Sequence, residues 1–396
     1  MTAGRSDALT ATAVKVTARG AGRWKQGHPW IYRSDVAEEL EKKPGIVPVT
    51  DRKGKFLGKA LYSPSSEIRL RLLTRADEPV DAAWWTARIR DAAERRAGIT
   101  ASAWRAVHAE GDGMPSLVID KYGPYVVAQL LSAGLETARA DVLAAIGEVF
   151  GPDGVLLRND AAVRRHEGLP AEVVLVSGQV PEVVEVTENG IKYLAAPWSG
   201  QKTGAFLDQR ENRQLVGQHT RPGGRALDLF TYHGSFALYL ARAAKAVLAV
   251  DQSTEALERG AENARLNAIG NIEWREGNAF DLLRDLERRR EQFDTIVLDP
   301  PAFAKTKANL ERAIAGYKEV NLRAMKILAP RGVLFTSSCS YHVSRDIFNA
   351  MLTDAARDSG RRIQFLAATG ASSDHPELLN VPETGYLKGV LLRVRE

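Results

Sequence analysis

The stretch Ala226-Leu-Asp228-Leu-Phe230-Thr-Tyr232-His-Gly234-Ser235-Phe236 decides the fold. An apolar run ends in an acid, a short loop with one glycine follows, and a helical pattern begins. Such a loop lies at the carboxyl end of a strand, where open α/β sheets bind ligands. The rhythm continues outward. Strand patterns at Arg225 to Leu229, Ala246 to Asp251, Ile272 to Glu276, Thr295 to Leu298 and Gly332 to Ser337 alternate with helical ones at Ser235 to Ala244, Thr254 to Asn267, Asp281 to Arg290 and Glu311 to Leu328. This alternation predicts a Rossmann-like α/β domain, a parallel sheet covered on both faces.

Upstream the pattern changes. Short apolar runs at Ala13 to Thr17, Ile46 to Thr50, Phe56 to Leu61 and Ile68 to Leu73 read as strands, with Asp51-Arg-Lys-Gly54 as a hairpin turn. Asp81 to Arg96 has helical spacing. Strands at Ser116 to Asp120 and Tyr125 to Leu131, a helix at Glu136 to Phe150, and strands at Val155 to Arg158 and Val173 to Val176 follow. Four parts result: a small β-rich domain over residues 1–80, a connecting helix over 81–100, a central α+β domain over 101–195 in the order strand-strand-helix-strand-strand, and the α/β domain over 196–396.

Composition narrows the class. The 396 residues are 44% hydrophobic and 26% charged, enough for a packed core. A net charge of +5 permits a polyanionic partner without requiring one. The single cysteine, Cys339, excludes an internal disulfide and a four-cysteine zinc site, and no metal is expected. The first 22 residues lack the apolar core of a secretory signal, and no run is long enough for a membrane span. A cytoplasmic protein without a membrane partner is expected, and a homodimer is left open.

Three consecutive strands end in polar residues suited to a nucleotide-like cofactor. The first loop lacks G-x-G-x-x-G, with only Gly234 present, which argues against pyrophosphate dinucleotides. Asp228 instead suits a cofactor carrying a cationic centre and an ammonium group, as S-adenosylmethionine does. Asp251 suits ribose hydroxyls. Asn278, with Ala279 beside it, suits an adenine amine. An acid at a strand end also serves as a helix cap, so each position alone carries two readings.

The fourth strand runs into Asp299-Pro300-Pro301-Ala302-Phe303, a stiffened segment that fixes Asp299 and offers Phe303 for stacking on a base, or for burial in a turn. The fifth runs into Ser338-Cys339-Ser340-Tyr341-His342. A lone cysteine is often a small buried hydrophobe. At a strand's carboxyl end beside Asp299, a thiolate is also placed to attack a pyrimidine. Cytosine carbon-5 is a poor nucleophile; thiolate addition at carbon-6 makes it enamine-like. Asp299 would hydrogen-bond or protonate ring N3. The base that takes the carbon-5 proton is unassigned, His342 being a candidate only by its place in sequence.

At these residues the chain resembles the RlmI-type large-subunit ribosomal RNA methyltransferases, over nearly its whole length. Gly200-Gln-Lys202-Thr-Gly204-Ala-Phe-Leu-Asp208-Gln-Arg210, Asp299-Pro-Pro-Ala-Phe303, Gly316-Tyr-Lys318, Ser338-Cys-Ser340 and Tyr386-Leu-Lys-Gly389 match the family's segments. His28-Pro-Trp30 and Ala60-Leu-Tyr-Ser-Pro64 resemble its PUA domain, an RNA-binding module. The resemblance implies 5-methylcytosine formation in 23S ribosomal RNA, with Cys339 as nucleophile. It implies that Asp208, Arg210, Asp228, Phe230, Tyr232, Gly234, Asp251, Asn278, Ala279 and Asp299 line the cofactor and base pocket. Lys202, Pro300, Pro301 and Phe303 fall on the substrate side. Two departures stand out: the loop after Phe230 reads Thr-Tyr-His-Gly-Ser where relatives tend to have Tyr-Thr-Gly-Gly, and Asn278 stands where Asp is common. The Lys202/Asp208/Arg210 segment is shared with guanine methyltransferases, so it supports the class and not the base.

Two other readings stay open. Asp-Pro-Pro-x-Phe is similar to motifs of enzymes that methylate exocyclic amines without a cysteine. An RNA-binding ribosome-assembly factor with a vestigial cofactor pocket is the other. For RNA as partner the residues are Arg19, Arg23, Lys25 and Arg33, interleaved with Trp24, Trp30 and Tyr32, a mixture suited to phosphate contact and base stacking.

Overall fold

The computed structural model describes residues 13–39, 43–303 and 307–395. Residues 1–12, part of the segment read for a leader, lie outside them. The described residues fall into two compact units. The first runs to Val186 and takes back Ala195–Leu207 and Asp374–Thr384; the second comprises Thr187–Leu194, Asp208–Ser373 and the chain from Gly385.

The first unit opens with β1 (Val14–Val16), helix α1 (Ala18–Lys25), β2 (Trp30–Tyr32), β3 (Val36–Glu38), β4 (Gly45–Asp51), β5 (Phe56–Tyr62) and β6 (Ile68–Thr74). The strands form one sheet in the order β2-β6-β5-β4-β1-β3 around Val14, Trp24, Ile31, Val49, Tyr62 and Leu70. The expected turn forms because Asp51 Oδ1 accepts from the Lys53 and Lys55 amides at 2.8 and 3.0 Å. β2 and β3 escape the sequence pattern, since three residues are too few to show a period.

Helix α2 (Ala82–Glu94) leads to β7 (Ala103–His108), β8 (Leu117–Tyr122), β9 (Tyr125–Leu130), helix α3 (Arg139–Phe150), β10 (Gly154–Asn159) and β11 (Glu172–Gly178). These strands form a second sheet, β11-β10-β9-β8-β7, against which Trp85, Ile89, Val142 and Ile146 pack. Three strands precede α3, where the sequence reading had two. The missed strand, β7, carries Arg105 in its interior. That arginine is buried because Asp120 on β8 accepts from its Nε and Nη2, both at 2.8 Å. An internal ion pair thus breaks the apolar pattern.

The hairpin β12 (Val184–Glu188) and β13 (Ile191–Ala195) carries the chain to helix α4 (Arg210–His219). Then come β14 (Arg225–Leu229), α5 (Ser235–Ala241), β15 (Ala246–Asp251), α6 (Thr254–Leu266), β16 (Ile272–Glu276), α7 (Ala279–Arg288), β17 (Phe293–Leu298), α8 (Leu310–Ile327), β18 (Leu328–Ser338), α9 (Arg345–Ser359), β19 (Ile363–Thr369) and β20 (Lys388–Val394). The sheet order is β16-β15-β14-β17-β18-β20-β19. Its first five strands are parallel, as the strand-helix alternation predicts. β20 is antiparallel to both neighbours, so the sheet is mixed and not wholly parallel. β19 returns into β20 without an intervening crossover helix, and a strand that returns that way runs antiparallel. Successive residues of β14 and β17 feed opposite faces: Leu227 and Leu298 pack with Tyr317 and Phe348, Ala226 and Val297 with Phe236 and Phe335. Among the described residues no helix is long and apolar enough to cross a membrane.

The hairpin's anchor is ionic. Glu188 accepts from Arg213 Nε at 2.6 Å and Nη2 at 2.7 Å, and from the Tyr239 hydroxyl at 3.0 Å, with both charged side chains buried. Removing one partner strands a buried charge. Arg213→Met is expected to lower stability by about 3–5 kcal/mol, read as a lower urea midpoint at unchanged slope.

Candidate active site

Asp228 ends β14 and is 1% exposed. Its Oδ2 accepts from Thr231 Oγ1 at 2.5 Å, while Oδ1 has no hydrogen-bond partner. Burial pushes its pKa up to about 7, and the negative charges of Asp299 and Asp251 push the same way. A carboxylate left so desolvated calls for a cation.

The loop that follows is tightly wound. Phe230, Tyr232 and Gly234 all have positive φ, at 64°, 50° and 75°. For Phe and Tyr this conformation costs on the order of 1–3 kcal/mol each. Three contacts hold it: the Thr231 amide donates to Val250 O at 3.0 Å, the Tyr232 amide to Asp251 Oδ2 at 2.9 Å, and Asn263 Nδ2 to His233 O at 2.9 Å. The Tyr232 and His233 rings stack at 3.6 Å, and burial holds the His233 pKa down at about 4. At Gly234 a Cβ would lie 2.4 Å from the Trp274 ring, so this position excludes any side chain.

Asp251 therefore shapes the loop: its other oxygen accepts from the Ser253 amide at 3.1 Å. Asn278 needs a correction. Its Oδ1 accepts from the amides of Phe280 and Asp281 at 2.9 and 3.3 Å, capping α7. The acceptor expected for an adenine amine is thus engaged by the backbone. Ala279, the first residue of α7, is buried beside half-buried Phe280.

The candidate reacting groups are placed by strand register. β17 and β18 are parallel neighbours with Leu298 opposite Thr336. Asp299 and Ser337 follow directly, and the Ser337 hydroxyl donates to Asp299 Oδ1, which also accepts from Gln209 Nε2 at 2.9 Å. Cys339 lies two residues beyond Ser337, just past the end of β18, and is half-buried. Its turn is fixed on both sides. Ser340 Oγ bonds the Tyr317 hydroxyl at 2.9 Å, and buried Lys388 donates to Ser340 O at 2.7 Å and to Tyr386 O at 2.8 Å. The Tyr386 hydroxyl donates in turn to Asp208 Oδ2 at 2.6 Å. Burial pushes the Tyr317 hydroxyl above its ordinary range, and the charge of a Cys339 thiolate acts in the same direction. Gln209, Tyr317, Ser337, Tyr386 and Lys388 were not read as site residues from sequence.

Phe303 packs on Tyr317 with ring centroids 4.6 Å apart and meets Phe280 and Phe230 at 5.9 and 6.3 Å. It is part of an aromatic cluster beside the cysteine turn. Pro300 is buried and Pro301 exposed. Arg210 is buried at the start of α4, with Nη2 3.2 Å from Glu211 Oε1. His342 lies in the turn after Cys339, its ring edge-on to exposed Tyr341.

Lys202, Arg23, Lys25 and Trp30 belong to the first unit. Lys202 is exposed, has φ 56°, and sits 4.6 Å from the Phe206 ring centroid. Its neighbour Thr203 is buried and donates to Asp120 Oδ2 at 2.5 Å. Lys25 is exposed. Arg23 bonds Asp35 Oδ2 at 3.2 Å and covers the Tyr32 ring at 4.8 Å, and Arg19 bonds the same carboxylate. Trp30 Nε1 donates to Glu110 at 2.9 Å. Trp24 is only 1% exposed, a core residue and not a stacking platform. α1 turns it inward, opposite the arginines.

This arrangement of sheet and strand-end carboxylates defines an S-adenosylmethionine-dependent methyltransferase. Residues 159–393 match the family model of that description, and residues 14–75 match that of the PUA-like domain. A Tolumonas auensis protein named ribosomal RNA large subunit methyltransferase I is 39% identical over 379 residues, 92% of this chain and 95% of its own. The Aeromonas salmonicida protein of that name is 40% identical over 382 residues, 93% and 96% of the two chains. The chain belongs to the ribosomal RNA large subunit methyltransferase I family. In fold it is similar to a Streptococcus mutans structure assigned to the S-adenosylmethionine-dependent methyltransferases, with TM-score 0.83 and 21% identity over 97% of this chain and all of the other. A second structure, holding S-adenosylhomocysteine, matches with TM-score 0.84 at 21% identity, over 97% of this chain and all of that one.

The residues present fit S-adenosylmethionine: the orphaned oxygen of Asp228 suits its positive groups, with Asp251 at the end of β15 and Asn278 just past the end of β16. Asp228→Asn is expected to weaken S-adenosylmethionine binding at least about tenfold, by loss of a charged hydrogen bond, measured by calorimetry. The sign of its pH effect is also fixed. A carboxyl whose folded pKa lies near 7, above its ordinary 3.8, destabilises the ligand-free fold progressively as pH rises between those values. Ligand-free Asp228→Asn should therefore match the wild type in melting temperature near pH 4 and exceed it at pH 8.

Proposed function

We propose that this protein methylates carbon-5 of a cytosine in 23S ribosomal RNA of the large subunit, through a covalent bond from Cys339 to carbon-6. The names of its relatives support the RNA, and the β17/β18 register supports the chemistry: it brings a carboxylate and a half-buried thiol to adjacent strand ends.

The Cys339 thiolate adds to carbon-6 and makes carbon-5 nucleophilic. Asp299, held at Oδ1 by Ser337 and Gln209, in its protonated form donates a hydrogen bond to ring N3 as negative charge develops there. Bound S-adenosylmethionine supplies the electrophilic methyl group that carbon-5 accepts. A base then takes the carbon-5 proton, the carbon–sulfur bond breaks, and the C5–C6 double bond returns with the thiolate released. Lys388 and Tyr317 keep the Cys339 turn in place throughout. In the PUA-like domain, exposed Lys25 is the cation available to an RNA phosphate, while Arg23 is shared with Asp35.

Cys339→Ala should abolish 5-methylcytosine in ribosomal RNA, read by mass spectrometry of digests. RNA carrying 5-fluorocytosine at the target should form a denaturant-resistant complex with the wild type, because fluorine blocks the elimination. Methyl transfer that survives in Cys339→Ala would point to an exocyclic amine and sink the covalent route. S-adenosylmethionine binding without turnover on any ribosomal RNA would favour an assembly factor.

For RNA binding, Lys25→Glu should lower affinity and reduce the slope of log K against log salt by about 1, one phosphate contact. Unchanged binding would move the RNA surface elsewhere.

A further inference from the structure

The sheet of the second unit is polarised. The carboxyl ends of its parallel strands carry Asp228, Asp251 and Asp299, whereas the opposite edge carries cations. In sheet order, β15 is entered from Lys245, β14 from Arg221 and Arg225, and β17 from Arg290; β18 passes through Arg331, β20 runs out into Arg395, and β19 is entered from Arg362. All of these but Arg225 are exposed. Neighbouring strand ends in such a row span about 25 Å. Asp294 and Glu291, which lie among the cations, are met by Arg221 and Arg225, each at 2.8 Å. Among the described residues no carboxylate bonds the side chains of Lys245, Arg290, Arg331, Arg362 or Arg395.

Neither helix ends nor backbone demands account for this row. Helix ends attract cations only within the last turn, and Lys245, Arg331 and Arg362 lie three or four residues beyond the ends of α5, α8 and α9. The backbone does not ask for arginine either. Arg290 and Arg331 have φ 56° and 63°. At the end of α7 the Arg290 amide donates to Glu287 O and the Glu291 amide to Leu286 O, both at 3.0 Å. Glycine is the usual residue at the left-handed position of that turn. What arginine adds there is its guanidinium.

We propose that this edge binds the phosphate backbone of a second segment of the RNA substrate, apart from the segment that carries the target base; the proposal rests on the RNA reading above. The two ends of β15 lie about 20 Å apart, so the segments held at Lys245 and at Asp299 are distinct parts of one folded RNA. Guanidinium forks match phosphate oxygens, and phosphate contacts set register without reading sequence. An acidic protein fits less well. Protein interfaces bury an apolar centre, and none of the large exposed hydrophobic side chains lies among these residues.

The test measures methylation and binding of protein-free 23S ribosomal RNA by the full chain. One variant combines Lys245→Gln, Arg290→Gly, Arg331→Gly and Arg362→Gln. Glycine relieves both left-handed positions, so it should melt no lower than the wild type. Its KM for the RNA should rise at least about tenfold at unchanged kcat, and the slope of log K against log salt should fall by about 4, one for each phosphate contact. A charge-keeping variant, Lys245→Arg with Arg290→Lys, Arg331→Lys and Arg362→Lys, should keep the wild-type slope. Unchanged RNA affinity in the first variant would leave an acidic protein as the occupant and overturn the proposal. A loss confined to kcat, or a slope reduced equally in the charge-keeping variant, would also overturn it. A wild type that neither binds nor methylates this RNA would instead overturn the RNA reading on which the proposal rests.

Discussion

The parallel register of β17 and β18 is the constraint on which the site depends. Once Leu298 stands opposite Thr336, the backbone brings Asp299 within reach of Ser337 and leaves Cys339 two residues on. The sheet core makes that placement rigid: Ile296, Leu298, Leu334 and Phe335 are fully buried. Reactive groups on strand ends need little further ordering. What the strand cannot fix is the turn after Ser338, where the chain leaves the ladder. There Lys388 and Tyr317 take over, each bonding Ser340.

Cofactor chemistry rests on a second constraint, the cost of an uncompensated carboxylate. Asp228 is placed by β14 where water cannot reach it, and its loop adds strain through Phe230 and Tyr232. Both costs are local and both are held by hydrogen bonds from neighbouring elements, Asp251 from β15 and Asn263 from α6. The residues at positive φ are held by contacts to the backbone, which do not require glycine at either position.

Much of this was legible in the chain. β15, β17 and β18 show because strands buried on both faces read as apolar runs, whereas β16, with Glu273, Arg275 and Glu276, shows only by its place in the strand-helix alternation. The strand ends also showed where polar groups collect. Asn278 marks the limit of that reading: a polar residue after a strand and before a helix is at once a cap and a candidate ligand, and only the two amides on its oxygen distinguish them. β7 was hidden because Arg105 breaks its pattern and its partner Asp120 lies on another strand. Trp24 looked like a surface aromatic because cations surround it in sequence, whereas α1 turns it inward. Lys388 and Gln209 lie in segments shared with the family, but their roles stayed hidden: their contacts lie 48 and 90 residues away along the chain, and no local spacing encodes such a meeting.

The carboxylates also bear on turnover. The negative charges of Asp299 and Asp251 add to the charging cost that burial imposes on Asp228. A cluster of that kind holds a cation more firmly than a neutral molecule of the same shape, since only the cation relieves the repulsion. Methyl transfer turns a sulfonium into a thioether, so the cluster loses part of what it was holding at the moment the reaction is complete. The electrostatics that favour binding before transfer therefore favour release after it. With the cofactor placed as proposed, affinity for it and discrimination against its product have one physical source, the desolvation of Asp228.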